Sequence, residues 1–417
     1  MRILLLSPRP FYPANTGGRI RSSKLVEQLA RWHELTIACF ESAQDDPAQF
    51  ARMRATCARL ERVPWHETAR YSAAFYTELA TSLPSPLPYT VRKYRSEAMQ
   101  QRLRSLLSET PYDLLVCDFL QPAINCLDLP IRPKVLFEHN VEAMIRARQA
   151  THAESLAARA YFRQDAWKLA RFEARAAKAF DHCIMVSEDD CRTMADAYGV
   201  HHTSAIPIAV DTDYFRPRPG EEGDAPELVF LGSMDWMPNQ DAVALLAAEI
   251  LPRVRRQVPA TLTVVGRNPP ASIQALAEQP GITITGTVPD VRPFLARAHL
   301  VVVPLRFGGG TRIKIFEAMA MGRPVVSTTI GAEGLPVTDG RDIALADGPE
   351  RFAEVVVSLL QDRATRVRLG NAARQQALDG YSWTAAAAAF SSTCEALVER
   401  TRAAATSTRS SGQPSPP

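Results

Sequence analysis

Short runs of almost unbroken aliphatic residues, separated by helix-length segments, constrain this chain more than any other feature. They read ILLLS, LTIACF, DLLVC, KVLFE and CIMVS in the first half, and LVFLG, TLTVVG, ITITG, LVVVPL and PVVST in the second. A strand with one wet face would alternate apolar and polar residues. These runs do not, which predicts parallel strands covered on both faces by helices. Two such series predict two doubly wound α/β units. Between them PIAVDTDYFRPRPGEEGDAPELVF crowds proline, glycine and acids together before a fresh strand near Leu228, the signature of a linker. The expected domains are residues 1–215, a linker at 216–226, residues 227–381, a helix over 382–402 and a disordered tail at 403–417. That tail, rich in Ala, Ser, Thr and Pro, has too little apolar content to fold. Helical spacing also predicts one helix over VRKYRSEAMQQRLRSLL, with Tyr94, Met99, Leu103 and Leu107 on one face, and another from Ser155 to Phe180.

Composition matters here for what it excludes. Forty-eight Lys and Arg against 45 Asp and Glu leave a net charge of +3, too even for nucleic acid to be the expected partner. The 7 cysteines are scattered without a CxxC pair, so neither a disulfide framework nor a zinc site is expected. Most lie in apolar runs, as small hydrophobes suited to a reducing compartment. The opening apolar stretch, Ile3 to Leu6, is shorter than the ~7–15 residues of a signal-peptide core, and no run reaches ~18 apolar residues. The expected address is the cytoplasm. Arg92, Lys93, Arg95, Arg102 and Arg104 on the predicted amphipathic helix could additionally meet an anionic membrane, although a solvated helix face accounts for the same charges.

In an open parallel sheet, ligands bind beyond the carboxyl ends of the strands. After the first strand, SPRPFYPANTGGRIRSSKL places Gly17 and Gly18 at the start of an amphipathic helix, whose free N–H groups suit an anion. Small residues at a loop-to-helix turn explain these glycines equally well. The richer turn is LVVVPLRFGGGTRIKIFEAMAMGRPVVST, where a strand ends at Leu305, Gly308, Gly309 and Gly310 bare the backbone, and Thr311 suits an N-cap. Gly310, Lys314 and Glu317 then fall at helical spacing on one face. That set suits a ligand both phosphorylated and hydroxyl-bearing: phosphate on N–H groups and Lys314, ribose hydroxyls on Glu317. A plain i,i+3 ion pair is the rival explanation.

The stretch FGGGTRIKIFEAMAMGRPVVSTTIGAEGL resembles the donor-binding segment of the family 4 glycosyltransferases of GT-B fold. FEHNVE, FEARAAKAFDHCIMVSEDD, PIAVDTDYF, FLGSMDWMPNQDA, VVGRNPP and GITITGTVPDVRPFLARAHLVVVPL extend the likeness over most of the chain, closest to bacterial exopolysaccharide sugar transferases. The resemblance implies two Rossmann-like domains facing across a cleft, acceptor on the first and nucleotide-sugar donor on the second. It implies a retaining transfer to a glycan or lipid-linked acceptor, and a C-terminal helix packing back on the first domain. By the same resemblance Glu317 holds the ribose, Gly309 and Gly310 contact the sugar and the distal phosphate, and Val288 lies against the base. Gly17 and Gly18 approach the diphosphate, and His139 stands near the reacting carbon, as hydrogen-bond donor or proton shuttle.

Three positions depart from the family pattern. Gly309 stands where a first glutamate is usual, Leu231 to Trp236 lacks the usual Arg and Lys, and Ile208 replaces an asparagine. Arg312, Lys314 and Arg267 are the nearby cations that could compensate. The Asp211–Asp213 pair of DTD has the form of a metal-binding motif, but in a linker turn its chemistry suffices to explain it. No metal or other cofactor is therefore expected. A GxGxxG fingerprint is absent, which disfavours an oxidoreductase. Two rivals stay open: a nucleotide-sugar epimerase of similar fold, and a non-catalytic nucleotide-sugar-binding subunit, for which Gly309 speaks.

Overall fold

The computed structural model describes residues 1–14, 16–69, 72–152, 155–207, 209–218, 220–308 and 313–410. Among these residues the strands are all parallel and form two sheets. The first contains β1 (Arg2–Ser7), β2 (Glu34–Glu41), β3 (Arg59–Pro64), β4 (Leu114–Asp118), β5 (Lys134–Phe137), β6 (His182–Met185) and β7 (Thr203–Ala205), in the order β3-β2-β1-β4-β5-β6-β7. The second contains β8 (Glu227–Leu231), β9 (Thr261–Val265), β10 (Ile282–Ile284), β11 (Leu300–Val303), β12 (Val325–Ser327) and β13 (Ala344–Leu345), in the order β10-β9-β8-β11-β12-β13. Every residue of β4, β5, β11 and β12 is buried, which is why those segments, LLVCD, KVLF, LVVV and VVS, are mostly apolar with no polar alternation. Each aliphatic side chain so buried contributes roughly 1.5–3 kcal/mol.

Each sheet reverses its strand order once, between β1 and β4 in the first and between β8 and β11 in the second. Such switch points open a crevice beyond the strand ends, because the loops on either side leave in opposite directions.

The compact units are Met1–Pro207 with Ala386–Pro417, and Ile208–Ala385. This corrects the expected boundary near 215. Val210 bridges Ser382, and Arg374 donates to the carbonyls of Thr212 and Phe215 at 3.1 and 3.0 Å, so the segment expected to end the first domain is tied into the second unit. The C-terminal helix, Trp383–Ser410, returns the chain to the first unit: the Phe390 ring meets Phe137 edge-on at 5.3 Å, His33 hydrogen-bonds Ser391 at 2.6 Å, and Arg402 pairs with Asp113. Residues 403–410 continue this helix, where a disordered tail was expected. Their alanines and the preceding turns propagate it beyond the last packed apolar residue. Residues 411–417 lie outside the described residues.

The helix expected from Val91 to Leu107 is two helices, Tyr89–Arg92 and Glu97–Glu109, because Ser96 caps the second by accepting from the Met99 N–H. The basic residues therefore do not lie on one continuous helix. Arg102 is held by Glu61 and Glu109, at 2.8 and 3.0 Å, and Lys93 lies 5.2 Å from the Tyr94 ring centre. Among the described residues no helix is long and apolar enough to cross a membrane. All 7 cysteines are free thiols.

Candidate functional site

The second unit gathers its polar groups at the β8/β11 switch point. Beyond β8 the chain turns through Gly232, Ser233 and Met234 before the helix Met237–Leu245; beyond β11 it turns through Gly308 before the helix Ile313–Ala320. Lys314 leaves that second helix to donate to Asn239 Oδ1 at 2.7 Å, its Nζ also standing 4.4 Å from the centre of the Phe230 ring. Asn239 is buried and oriented by its own donation to the Ser233 carbonyl at 2.8 Å. A side chain at 232 would push these two side chains aside. A Cβ there would come within 2.6 Å of Asn239 Nδ2 and 2.8 Å of Lys314 Nζ, and one at Gly266 within 1.8 Å of the Gly232 carbonyl oxygen. Gly308 adopts φ +118°, and a Cβ would press the Trp236 ring at 2.9 Å.

Glu317 lies one turn further along and is half-buried. Burial pushes its carboxyl up to about 7, against the pull of the Lys314 ammonium. Arg267, at the end of β9, donates to Ser233 Oγ at 2.8 Å and pairs with Asp235 at 3.2 Å, so a cation does stand beside the turn that lacks the usual Arg and Lys. Its charge is partly answered by that aspartate. Val288 is half-buried in the loop after β10. Gly309, Gly310, Thr311 and Arg312 lie outside the described residues, as does Ile208. Asp211 serves its turn, accepting from the Tyr214 N–H at 2.9 Å. Among the described residues no three His, Cys, Asp or Glu side chains are grouped to hold a metal ion.

The first unit has its own constellation at the β1/β4 switch point. Gly17 and Gly18 begin the helix Gly17–Leu29, where Thr16 at the cap position makes no side-chain hydrogen bond. His139, just past β5, is 3% exposed. Its Nε2 lies 2.7 Å from Asp118 Oδ1 at the end of β4, and Ser22 Oγ donates to the other carboxylate oxygen at 2.7 Å. The imidazole stacks on Phe119 at 3.8 Å, and Phe119 holds the uncommon φ of +70°. A Cβ at Gly18 would strike the Phe119 ring at 2.6 Å and come within 3.8 Å of His139 Nδ1. Burial pulls the His139 pKa below its ordinary value, with Asp118 opposing.

Beneath it Arg21 is fully buried. Its guanidinium donates to the carbonyls of Glu138, Ile206 and Met185 at 2.8, 2.7 and 3.3 Å and is pulled down to about 9 by burial. It straps together the ends of β5, β6 and β7, which fixes the platform carrying His139.

The structure thus joins Lys314 to a partner that sequence reasoning missed, Asn239, and joins His139 to Asp118, Ser22 and Phe119, missed likewise. Asp118 carried a signal, a lone carboxylate ending the apolar run DLLVCD. Asn239 carried none, since 75 positions separate it from Lys314. His202, read as surface, is half-buried and lies 3.0 Å from the Ala177 carbonyl.

Residues 17–214 match the model of Glycosyltransferase Family 4, and residues 225–362 match that of Glycosyl transferases group 1. The chain belongs to the family 4 glycosyltransferases, and its paired parallel-sheet units are those of the GT-B fold. It is 31% identical over 208 residues to a GDP-mannose-dependent α-(1-6)-phosphatidylinositol monomannoside mannosyltransferase of Mycobacterium tuberculosis, an alignment covering 44% of this chain and 53% of that protein, about half its length. With an uncharacterised 44.6 kDa protein of the Klebsiella pneumoniae cps region it shares 21% identity, over 86% of this chain and 90% of the other. The crystal structure of Anabaena Alr3699/HepE in complex with UDP-glucose superposes with a TM-score of 0.66 at 15% identity, covering 95% of this chain and all of that one.

Proposed function

We propose that the chain is a retaining glycosyltransferase that moves a hexose from a nucleotide-diphosphate sugar to a glycan or lipid-linked acceptor in surface polysaccharide synthesis. The observation that carries this reading is the Lys314–Asn239 hydrogen bond of 2.7 Å at the β8/β11 switch point, one turn from Glu317. An anchored ammonium there answers the charge that grows on a leaving diphosphate, and the carboxylate takes ribose hydroxyls. Gly309, Gly310, Thr311 and Arg312 belong to the same donor site in this reading, and Val288 flanks the base. No metal is needed where cations and helix N–H groups neutralise phosphate. The mannosyltransferase and the UDP-glucose complex support a nucleotide-sugar donor, and the cps-region relative supports a polysaccharide setting. Retention rests on the family resemblance. The enzyme acts in the cytoplasm, with basic residues such as Arg92 and Arg95 meeting anionic lipid at the membrane's inner face.

The test begins with thermal shifts against UDP, GDP and ADP and their sugars, since ligand at ~100 times Kd adds ~2.7 kcal/mol. The stabilising donor, radiolabelled, is then incubated with purified protein and membrane lipid extract, and the product's anomeric configuration is read by NMR. Transfer with retention is expected. Binding without turnover would instead support a non-catalytic donor-binding subunit, the reading that Gly309 in place of the usual glutamate favours.

A further inference from the structure

Beyond the carboxyl end of β3 the first unit carries a cavity of about 230 Å³, lined by Trp65, Thr68, Glu78, Tyr89, Arg92 and Lys93 among others. β3 stands three strands from β4, about 14 Å at ~4.8 Å per strand, so this cavity is separate from the β1/β4 switch point. Its floor is a built platform. Trp65 stacks on Tyr94, ring centres 5.0 Å apart and planes 11° from parallel; the indole N–H donates to the Lys93 carbonyl at 2.9 Å, and the Tyr94 hydroxyl accepts from Arg9 at 3.1 Å. Tyr94 is buried beneath the indole, which leaves the outer face of Trp65 to the cavity. Its wall is a held carboxylate. Glu78, on the helix Ala73–Ser82, accepts from Thr68 Oγ1 at 2.5 Å through one oxygen and from the Tyr89 hydroxyl at 3.0 Å through the other. Each oxygen keeps a second lone pair, so the carboxylate is set to accept from two adjacent hydroxyls.

Size and charge narrow the ligand. The cavity is smaller than the roughly 300–1,000 Å³ of sites that enclose a drug-sized molecule, which leaves room for one ring. Among the described lining residues the carboxylates of Glu67 and Glu78 balance the cations of Arg92 and Lys93, so phosphate or an acidic sugar gains no net attraction. An apolar face, a fixed acceptor and flanking N–H donors match a neutral pyranose, whose C–H face is apolar and whose hydroxyls both donate and accept. We propose that this cavity binds one neutral hexose unit of a glycan acceptor, its C–H face on Trp65 and two adjacent hydroxyls on Glu78. The inference rests on the glycosyltransferase reading and adds to it a subsite that holds the glycan at a distance from its reacting end.

Titration decides this. Full-length protein carrying ¹⁵N-tryptophan, its Trp65 indole signal assigned by its loss in Trp65→Phe, is titrated with methyl glycosides of glucose, mannose and galactose, with methyl glucuronide and with inorganic phosphate. At least one neutral glycoside should shift the Trp65 signal saturably, and glucuronide and phosphate should bind more weakly or not at all. Glu78→Gln keeps the shape and loses the charge, and should weaken that glycoside about tenfold, the cost of about one hydrogen bond to a charged group. Should Glu78→Gln fold poorly, Trp65→Phe, which keeps a ring on Tyr94 but shrinks the platform, should show a several-fold loss by saturation-transfer NMR on the same glycoside. No shift with any neutral glycoside, tighter binding of glucuronide or phosphate, or an unchanged Kd in both variants overturns the proposal. Donor binding without any sugar response at Trp65 removes this subsite alone. A hexose response at Trp65 in a chain that binds neither nucleotides nor their sugars removes the glycosyltransferase reading, and with it the acceptor role given to the bound hexose.

Discussion

Lys314 Nζ lies 2.7 Å from Asn239 Oδ1, and the two side chains share a space that exists because residue 232 has no Cβ. The ammonium is thereby fixed before any ligand arrives, which is the preorganisation that electrostatic catalysis uses. Lys314→Ala should lower kcat far more than it raises donor KM, because charge on the leaving diphosphate is larger in the transition state. It should also cost about 1 kcal/mol of stability, since Asn239 loses its partner. Steady-state kinetics and thermal melts check both. Full activity would show the donor to lie elsewhere.

Glycines 232 and 266 should separate by severity. In Gly232→Ala the new methyl meets the flexible ends of Asn239 and Lys314 at 2.6 and 2.8 Å, which can yield, so the protein should fold with Lys314 displaced and kcat reduced several-fold. In Gly266→Ala it meets the Gly232 carbonyl oxygen at 1.8 Å, and backbone cannot yield locally. That variant should be insoluble or melt many degrees lower. Equal melting temperatures for the two would contradict the turn geometry.

Glu317 gives a pH dependence with a definite sign. Its folded pKa is raised from the ordinary carboxylate range to about 7 by burial, so between those values the folded chain holds a proton that the unfolded chain has released. Stability from this group falls as pH rises through that window. Function should run the other way, since the ionised carboxylate is the better acceptor for ribose hydroxyls: donor KM should drop as pH rises through about 7. Glu317→Gln should remove this component of both profiles and raise donor KM by one to two decades, equivalent to ~1.5–3 kcal/mol. A wild-type KM profile identical in shape to that of Glu317→Gln would dissociate this carboxyl from the donor.

Metal removal should have little effect on turnover. With Lys314, Arg312 and helix N–H groups as the proposed partners of the diphosphate, activity after dialysis against excess EDTA should match the untreated enzyme. Loss with EDTA that Mn²⁺ or Mg²⁺ restores would refute metal independence.

Truncation distinguishes the packed part of the last helix from its extension. A chain ending at Arg402 retains Phe390 against Phe137 and the Arg402 pairing with Asp113, and should keep its melting temperature and activity. A chain ending before Ser382 exposes the surface that buried Phe390, Cys394, Leu397 and Val398 cover, and should be recovered insoluble. Circular dichroism melts and soluble yield check both.

The amino-acid sequence by itself determined the class of fold and the glycine turn with the helix that follows it. Parallel strands wrapped by helices must be aliphatic throughout, and the runs ending at Ser7, Asp118, Leu231 and Val303 announce themselves for that reason. Edge strands are half-wet or short, so β3, reading RLERVP, and β13, with two residues, lacked that mark. The glycine turn and the spacing of Lys314 and Glu317 are local facts that a helix translates directly into one face. What only the tertiary structure decided is how each polar group is held. Asp118 reaches His139 across 21 positions, Ser22 reaches Asp118 across 96, and Asn239 reaches Lys314 across 75, because strand order, not chain order, sets neighbours in a parallel sheet. The elevated pKa of Glu317 comes from burial, and no spacing along the chain encodes it.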